Sequence, residues 1–347
     1  MSKYVTAAVR ALNAYTPGEQ PKAADLNKLN TNENPYPPSA AVAEVLRSFD
    51  SSLLRLYPDP LCNAVRERIA AMHQCTVEQV FVGNGSDEIL ALCTRAFVED
   101  DGSIGYFTPS YSLYPVLTDI RKARRNPVPL NTGFSWNMPA DYRASLFFIT
   151  NPNAPTSLLF DHNTVGNFCH DFDGVVVIDE AYVDFATTNC MDLALRSGNA
   201  NTLVMRTLSK SFSLAGLRFG YVIGPVPLIS ALYKIKDSYN LDMLAQKIAL
   251  AALNDVDHMH NNVAKIKATR ANLTTELRNR GWEVLDSQSN FVFAKPPQGM
   301  AAADIFTALR QRHIFVRYFP GPDTADYLRI TIGTDQQITA LLAALPT

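Results

Sequence analysis

The chain has 347 residues, 47% of them hydrophobic, with 31 basic against 33 acidic side chains and a formal charge of −2. That length holds one large domain plus a smaller one, and a balanced charge without a strongly basic block excludes a nucleic-acid footprint. No apolar run approaches the roughly 18–20 residues of a membrane-spanning helix. Residues 1–12 lack the apolar core of a signal peptide. The five scattered cysteines form no C-x-x-C pair and the six histidines no ligand-spaced set, which fits reduced thiols, no metal site and a soluble, cytoplasmic protein.

Taken in chain order, residues 1–35 read as an extended arm, because Pro17-Gly18, Pro21 and Asn32-Glu33-Asn34-Pro35 forbid a continuous helix. Helical patterns follow near 39–49 and 61–74. Val80-Phe81-Val82 is a short strand, after which Gly83-Asn84-Gly85-Ser86-Asp87-Glu88 opens a helix to about 98. Arg121-Lys122-Ala123-Arg124-Arg125 reads as a solvated helix end. Apolar strands at 103–106, 146–150, 175–179, 202–206 and 220–223 alternate with helical stretches, the pattern of a mostly parallel sheet covered by helices on both faces. A long helical region runs from about 227 to 280. The last stretch has short strands at 283–285, 290–294, 313–317 and 328–332 and helices near 301–312 and from 335, a compact α+β unit. The expected fold class is therefore α/β: a large domain over 36–264 and a small α+β domain over 265–347, with the arm of 1–35 joining the latter.

Lys210 is the most informative residue. It follows an apolar strand that ends in Thr207 and Ser209, and Arg218 comes eight residues later. Thirty-one residues upstream another apolar run ends in Asp179-Glu180-Ala181-Tyr182. An amine, a carboxylate, a phenol, two hydroxyls and a guanidinium are the parts that hold a pyridoxal phosphate ring. Asp179 stands at the carboxyl end of a buried strand, where open α/β sheets bind ligands, and it needs a cationic partner. A pyridinium N–H supplies one; a structural salt bridge is the other possibility. Gly83-Asn84-Gly85-Ser86-Asp87-Glu88 places free N–H groups at a helix start, suited to phosphate or to plain capping. Glu88 in place of a third glycine argues against a nicotinamide fingerprint. Tyr111 either stacks on a flat ring or packs in the core. Arg329 and Arg317, each in an apolar run, are anion clamps or solvent-facing side chains.

These motifs, with Leu29-Asn30-Thr31-Asn32-Glu33-Asn34-Pro35-Tyr36-Pro37-Pro38, Tyr57-Pro58-Asp59 and Leu328-Arg329-Ile330-Thr331-Ile332-Gly333-Thr334, occur in one order along nearly the whole chain. In this the chain resembles the fold-type I pyridoxal-phosphate aminotransferases, and within them the histidinol-phosphate aminotransferases. The resemblance implies Lys210 as the Schiff-base lysine, Asp179 as partner of the pyridine nitrogen, Tyr182 on the ring oxygen and Tyr111 stacked on the ring. It implies a phosphate site from Thr207, Ser209, Arg218 and the amides of Gly85, Ser86 and Asp87, and substrate contacts from Arg329, Arg317, Asn34 and Tyr15. Tyr57 in such proteins reaches the cofactor phosphate of the partner subunit, which implies a homodimer. One departure stands out: the asparagine common before the second proline is Ala154 in Asn151-Pro152-Asn153-Ala154-Pro155-Thr156-Ser157, so the ring-oxygen contact passes to Asn153 or rests on Tyr182 alone. The reaction implied is exchange of an amino group between glutamate or 2-oxoglutarate and histidinol phosphate or imidazole-acetol phosphate. The alternatives are an aromatic aminotransferase, a phospho-amino-acid decarboxylase of the same fold, and a catalytically silent relative, against which the intact Lys210 argues.

Overall fold

The structure, a computed structural model, describes residues 3–12, 18–21 and 26–346. Its centre is a seven-stranded sheet. The spatial order is Val80–Asn84, Phe219–Ile223, Thr202–Thr207, Val175–Asp179, Leu146–Thr150, Ser103–Thr108, Arg124–Pro129. All neighbours pair in parallel except Phe219–Ile223, which runs antiparallel to both strands beside it. The continuous apolar runs have a simple cause. Side chains alternate between faces, and both faces are buried. Thus Val176 and Ile178 enter one core cluster with Phe147 and Ile149, while Val177 enters the other with Leu146 and Phe148.

A second, antiparallel sheet of four short strands has the order Arg317–Tyr318, Leu328–Thr331, Phe291–Lys295, Glu283–Val284. Helices Val256–Asn279, Ala302–Gln311 and Asp335–Ala344 cover it and share its core. The arm reaches this unit. Asn27–Lys28 pairs in parallel with Ile314–Phe315, and Leu29 lies in the same core.

Three sequence expectations differ from what the structure holds. The helical region at 227–280 is three helices, Val226–Ile235, Met243–Asn254 and Val256–Asn279, with the side chain of Asp242 capping the second through the Ala245 N–H. The basic cluster is only half a helix end. Arg121 closes a helix and donates to the Val98 carbonyl, but Arg124 and Arg125 begin the edge strand of the large sheet. That strand carries two prolines and exposed charge, which suit an edge and hide the strand signal. The run at 313–317 divides at Val316 into two short strands that serve different sheets.

Candidate active site

Three adjacent parallel strands end together, at Thr150, Asp179 and Thr207, and the turn after Thr207 carries Lys210. Their carboxyl ends open into a cavity of about 530 Å³. Its wall includes Lys210, Asp179, Tyr182, Arg218, Arg317 and Arg329, so one space gathers the amine, the acid, the phenol and three guanidinium groups. Tyr111, Ser86, Asp87, Thr207 and Ser209 line it as well.

Asp179 is 4% exposed. Burial pushes its carboxyl up to about 6. The N–H of Ala181 and the hydroxyl of Tyr114 oppose that, the charge of Asp87 adds to it, and Lys210 pulls the other way. Oδ1 accepts from Ala181 N at 3.1 Å and Oδ2 from Tyr114 Oη at 3.2 Å. Tyr114 is fully buried and sits 2.6 Å from Thr150 Oγ1. A desolvated carboxylate held by two neutral donors is set to receive a cation from the cavity side.

The helix Gly85–Phe97 points its N-terminus at this space. Gly85 has φ +79°, and a Cβ there would lie 2.6 Å from Arg218 Nη2. A Cβ on Gly220 would lie 2.8 Å from the backbone N of Ser86. A side chain is strained at Gly85 by its positive φ and blocked at Gly220 by the backbone of the helix start. Arg218 Nη1 reaches Ser209 Oγ at 3.5 Å, and Nη2 is 3.4 Å from Asp87 Oδ2. The Thr207 and Ser209 hydroxyls are 2.8 Å apart. Helix N–H groups, two hydroxyls and a guanidinium converge as an anion site. Tyr111 Oη donates to Asp87 Oδ1 at 3.2 Å.

The arm closes the other side, each residue meeting one functional group. The Asn30 carbonyl accepts from Arg329 Nη2 at 2.8 Å, the Thr31 carbonyl from Lys210 Nζ at 3.4 Å, and Asn32 Nδ2 donates to Tyr182 Oη at 3.0 Å. Asn34 is not on the wall. Its amide donates to the carbonyls of Lys210 and Ser211, both at 3.1 Å, and so steadies the lysine turn from behind.

Two other expected residues stand away from the cavity, and one cannot be placed. Asn153 is fully buried, with Nδ2 donating to the Pro109 carbonyl at 3.1 Å and to Thr156 Oγ1 at 2.9 Å. Ala154, not Asn153, forms the wall there. Tyr57 is 79% exposed and stacks on Tyr239. Tyr15 lies outside the described residues. Sequence reading missed Tyr114 and Asn32. Asn32 stands inside a motif it singled out, but the partners of Tyr114 and Asn32 are 65 and 150 residues away in the chain.

The family model for aminotransferase class I and II matches residues 24–345. A histidinol-phosphate aminotransferase 2 of Rhizobium meliloti (strain 1021) is 46% identical over 99% of this chain and 99% of its own length. A histidinol-phosphate aminotransferase of Gluconacetobacter diazotrophicus is 44% identical over 100% and 98%. Among solved structures, the histidinol-phosphate aminotransferase from Sinorhizobium meliloti in complex with pyridoxal-5'-phosphate has a TM-score of 0.86. It covers 100% of this chain and 97% of that one at 22% identity, a likeness of fold. The chain belongs to the class I and II aminotransferases.

Proposed function

We propose that the protein moves an amino group between glutamate or 2-oxoglutarate and histidinol phosphate or imidazole-acetol phosphate, with pyridoxal 5'-phosphate as cofactor. One observation carries the reading: a single cavity has Lys210 and buried Asp179 on its wall together with Arg317 and Arg329. The relatives at 44–46% identity, named histidinol-phosphate aminotransferases, support histidinol phosphate as a substrate.

The residues present fit the cofactor. The buried carboxylate of Asp179 suits a ring N–H, and the close approach at Gly85 and Gly220 leaves a cradle of N–H groups for a phosphate. When bound, the cofactor supplies an electron sink for the bond to the substrate's Cα proton. Asp179 would hold the ring nitrogen, and the amides of Gly85, Ser86 and Asp87 with Thr207, Ser209 and Arg218 would hold the phosphate. Tyr111 would lie against the ring, and the phenol of Tyr182 would donate to the ring oxygen. Lys210 Nζ would bind the cofactor's aldehyde carbon and, once displaced by substrate, carry the Cα proton. Arg329 and Arg317 would take the distal carboxylate of one substrate or the phosphate of the other, since a guanidinium fork reads either anion.

The active unit in this reading is a cytoplasmic homodimer. The exposed aromatic pair Tyr57–Tyr239 and exposed Leu54, Leu56 and Leu61 form the kind of apolar surface that a second copy covers. The substrate assignment is tested by kcat/KM for histidinol phosphate and for phenylalanine, each with 2-oxoglutarate. A preference for phenylalanine overturns it, and absence of transfer from either overturns the activity.

A further inference from the structure

Asn32 is 1% exposed, yet it lines the cavity. Its φ of +56° is left-handed, a region that asparagine enters more readily than most residues but still at a cost. Both backbone groups are engaged. Its N–H donates to Thr331 Oγ1 at 3.0 Å, and its carbonyl accepts from Asn290 Nδ2 at 2.9 Å. A strained residue held this firmly serves a specific side-chain placement.

The hydrogen-bond directions follow from the chemistry. Thr331 Oγ1 accepts the Asn32 N–H, so its own proton goes to Asn32 Oδ1, 2.9 Å away. That fixes the amide oxygen on Thr331 and turns Nδ2 toward Tyr182, where it donates to the phenol oxygen at 3.0 Å. A phenol that has accepted this bond keeps its own proton for the cavity. Across the wall, Ala154 presents only a methyl group, and the amide of Asn153 is spent on Pro109 and Thr156.

We infer that Asn32 is a positioning residue that aims the Tyr182 proton at the cofactor's ring oxygen, offsetting the donor that Ala154 lacks. The inference rests on the aminotransferase reading and on the Tyr182 contact within it.

A donor at the ring oxygen stabilises negative charge there and lowers the proton affinity of the Lys210 nitrogen conjugated with it. The pH midpoint of the holoenzyme's visible absorbance reads that affinity. Asn32→Gly keeps the left-handed backbone and removes the amide. Its midpoint should rise by about half a pH unit, and Tyr182→Phe should rise at least as far. The double variant should go no further than Tyr182→Phe. Ala154→Asn should return the Asn32→Gly midpoint toward the original. Thr331→Val, which removes both the acceptor of the Asn32 N–H and the donor to its Oδ1, should move the midpoint in the same direction. An Asn32→Gly shift that persists in the Tyr182→Phe background overturns the inference, as does an unchanged midpoint in both Asn32→Gly and Thr331→Val. A starting protein with no visible cofactor band instead overturns the cofactor reading, and the inference with it.

Discussion

Arg317 and Arg329 are Cα partners across an antiparallel strand pair, and both guanidinium carbons stand 5.3 Å from the ring of Phe319. Two like charges face one another on the cavity wall, a pairing that costs energy in a sheet. An anion lying between them gains from both.

Arg329→Ala should therefore raise KM for glutamate and for histidinol phosphate together, by roughly 10- to 100-fold, the worth of a hydrogen bond to a charged group. Cofactor absorbance should stay intact. Loss of cofactor with unchanged KM would remove Arg329 from the substrate site. Arg329→Lys should recover little of the effect, because an ammonium lacks the planar fork.

Lys210→Ala should abolish turnover while circular dichroism is unchanged. Borohydride treatment of the cofactor-loaded protein should tag Lys210, and the variant should take no tag. A tag on another lysine would move the covalent role elsewhere.

Asp179 gives the apo-protein a pH signature. Its carboxyl stays protonated in the folded chain up to about 6, while the unfolded reference is 3.8. Stability of the apo-protein therefore falls as pH rises between those values and stays reduced above them, because the native state holds the extra proton. Asp179→Asn removes the buried charge. At pH 8 the variant should be more stable than its parent by up to about 3 kcal/mol, and at pH 4 the two should converge. The same change should weaken pyridoxal phosphate binding. Thermal melts of both apo-proteins across pH 4–8 check the first claim, and cofactor titration the second.

The strands and motif residues were legible because their signals are local. Apolar runs closed by Asp179 and Thr207 announce both a doubly covered sheet and the edge where ligands bind. The strand Arg124–Pro129 was not legible, since an edge tolerates the charge and proline that elsewhere deny a strand. The surroundings of Asn153 were not legible for a different reason. Sequence spacing puts it beside Ala154, but its amide is drawn to Pro109 and Thr156, a choice made by tertiary packing. Asn32 and Tyr114 act through partners brought together only by the fold.

Glu180 and Arg206 join the two strands that deliver Asp179 and Lys210. Glu180 Oε2 is 2.8 Å from Arg206 Nη2, with the Glu180 side chain fully buried. Oε1 accepts the Cys190 N–H at 2.5 Å. Burial lowers the proton affinity of the Arg206 guanidinium, and the Glu180 carboxylate more than offsets that. Removing one partner strands the other in the interior, so Arg206→Met should destabilise the apo-protein by about 3–5 kcal/mol in urea titration. Glu180→Met with Arg206→Met should recover most of that loss, because no lone charge remains. If the ion pair also sets the spacing of the strand ends, the double variant will fold well yet bind pyridoxal phosphate more weakly than its parent. Equal affinity would confine the pair to stability and leave the alignment of Asp179 with Lys210 to the backbone ladder at Asp179 and Met205.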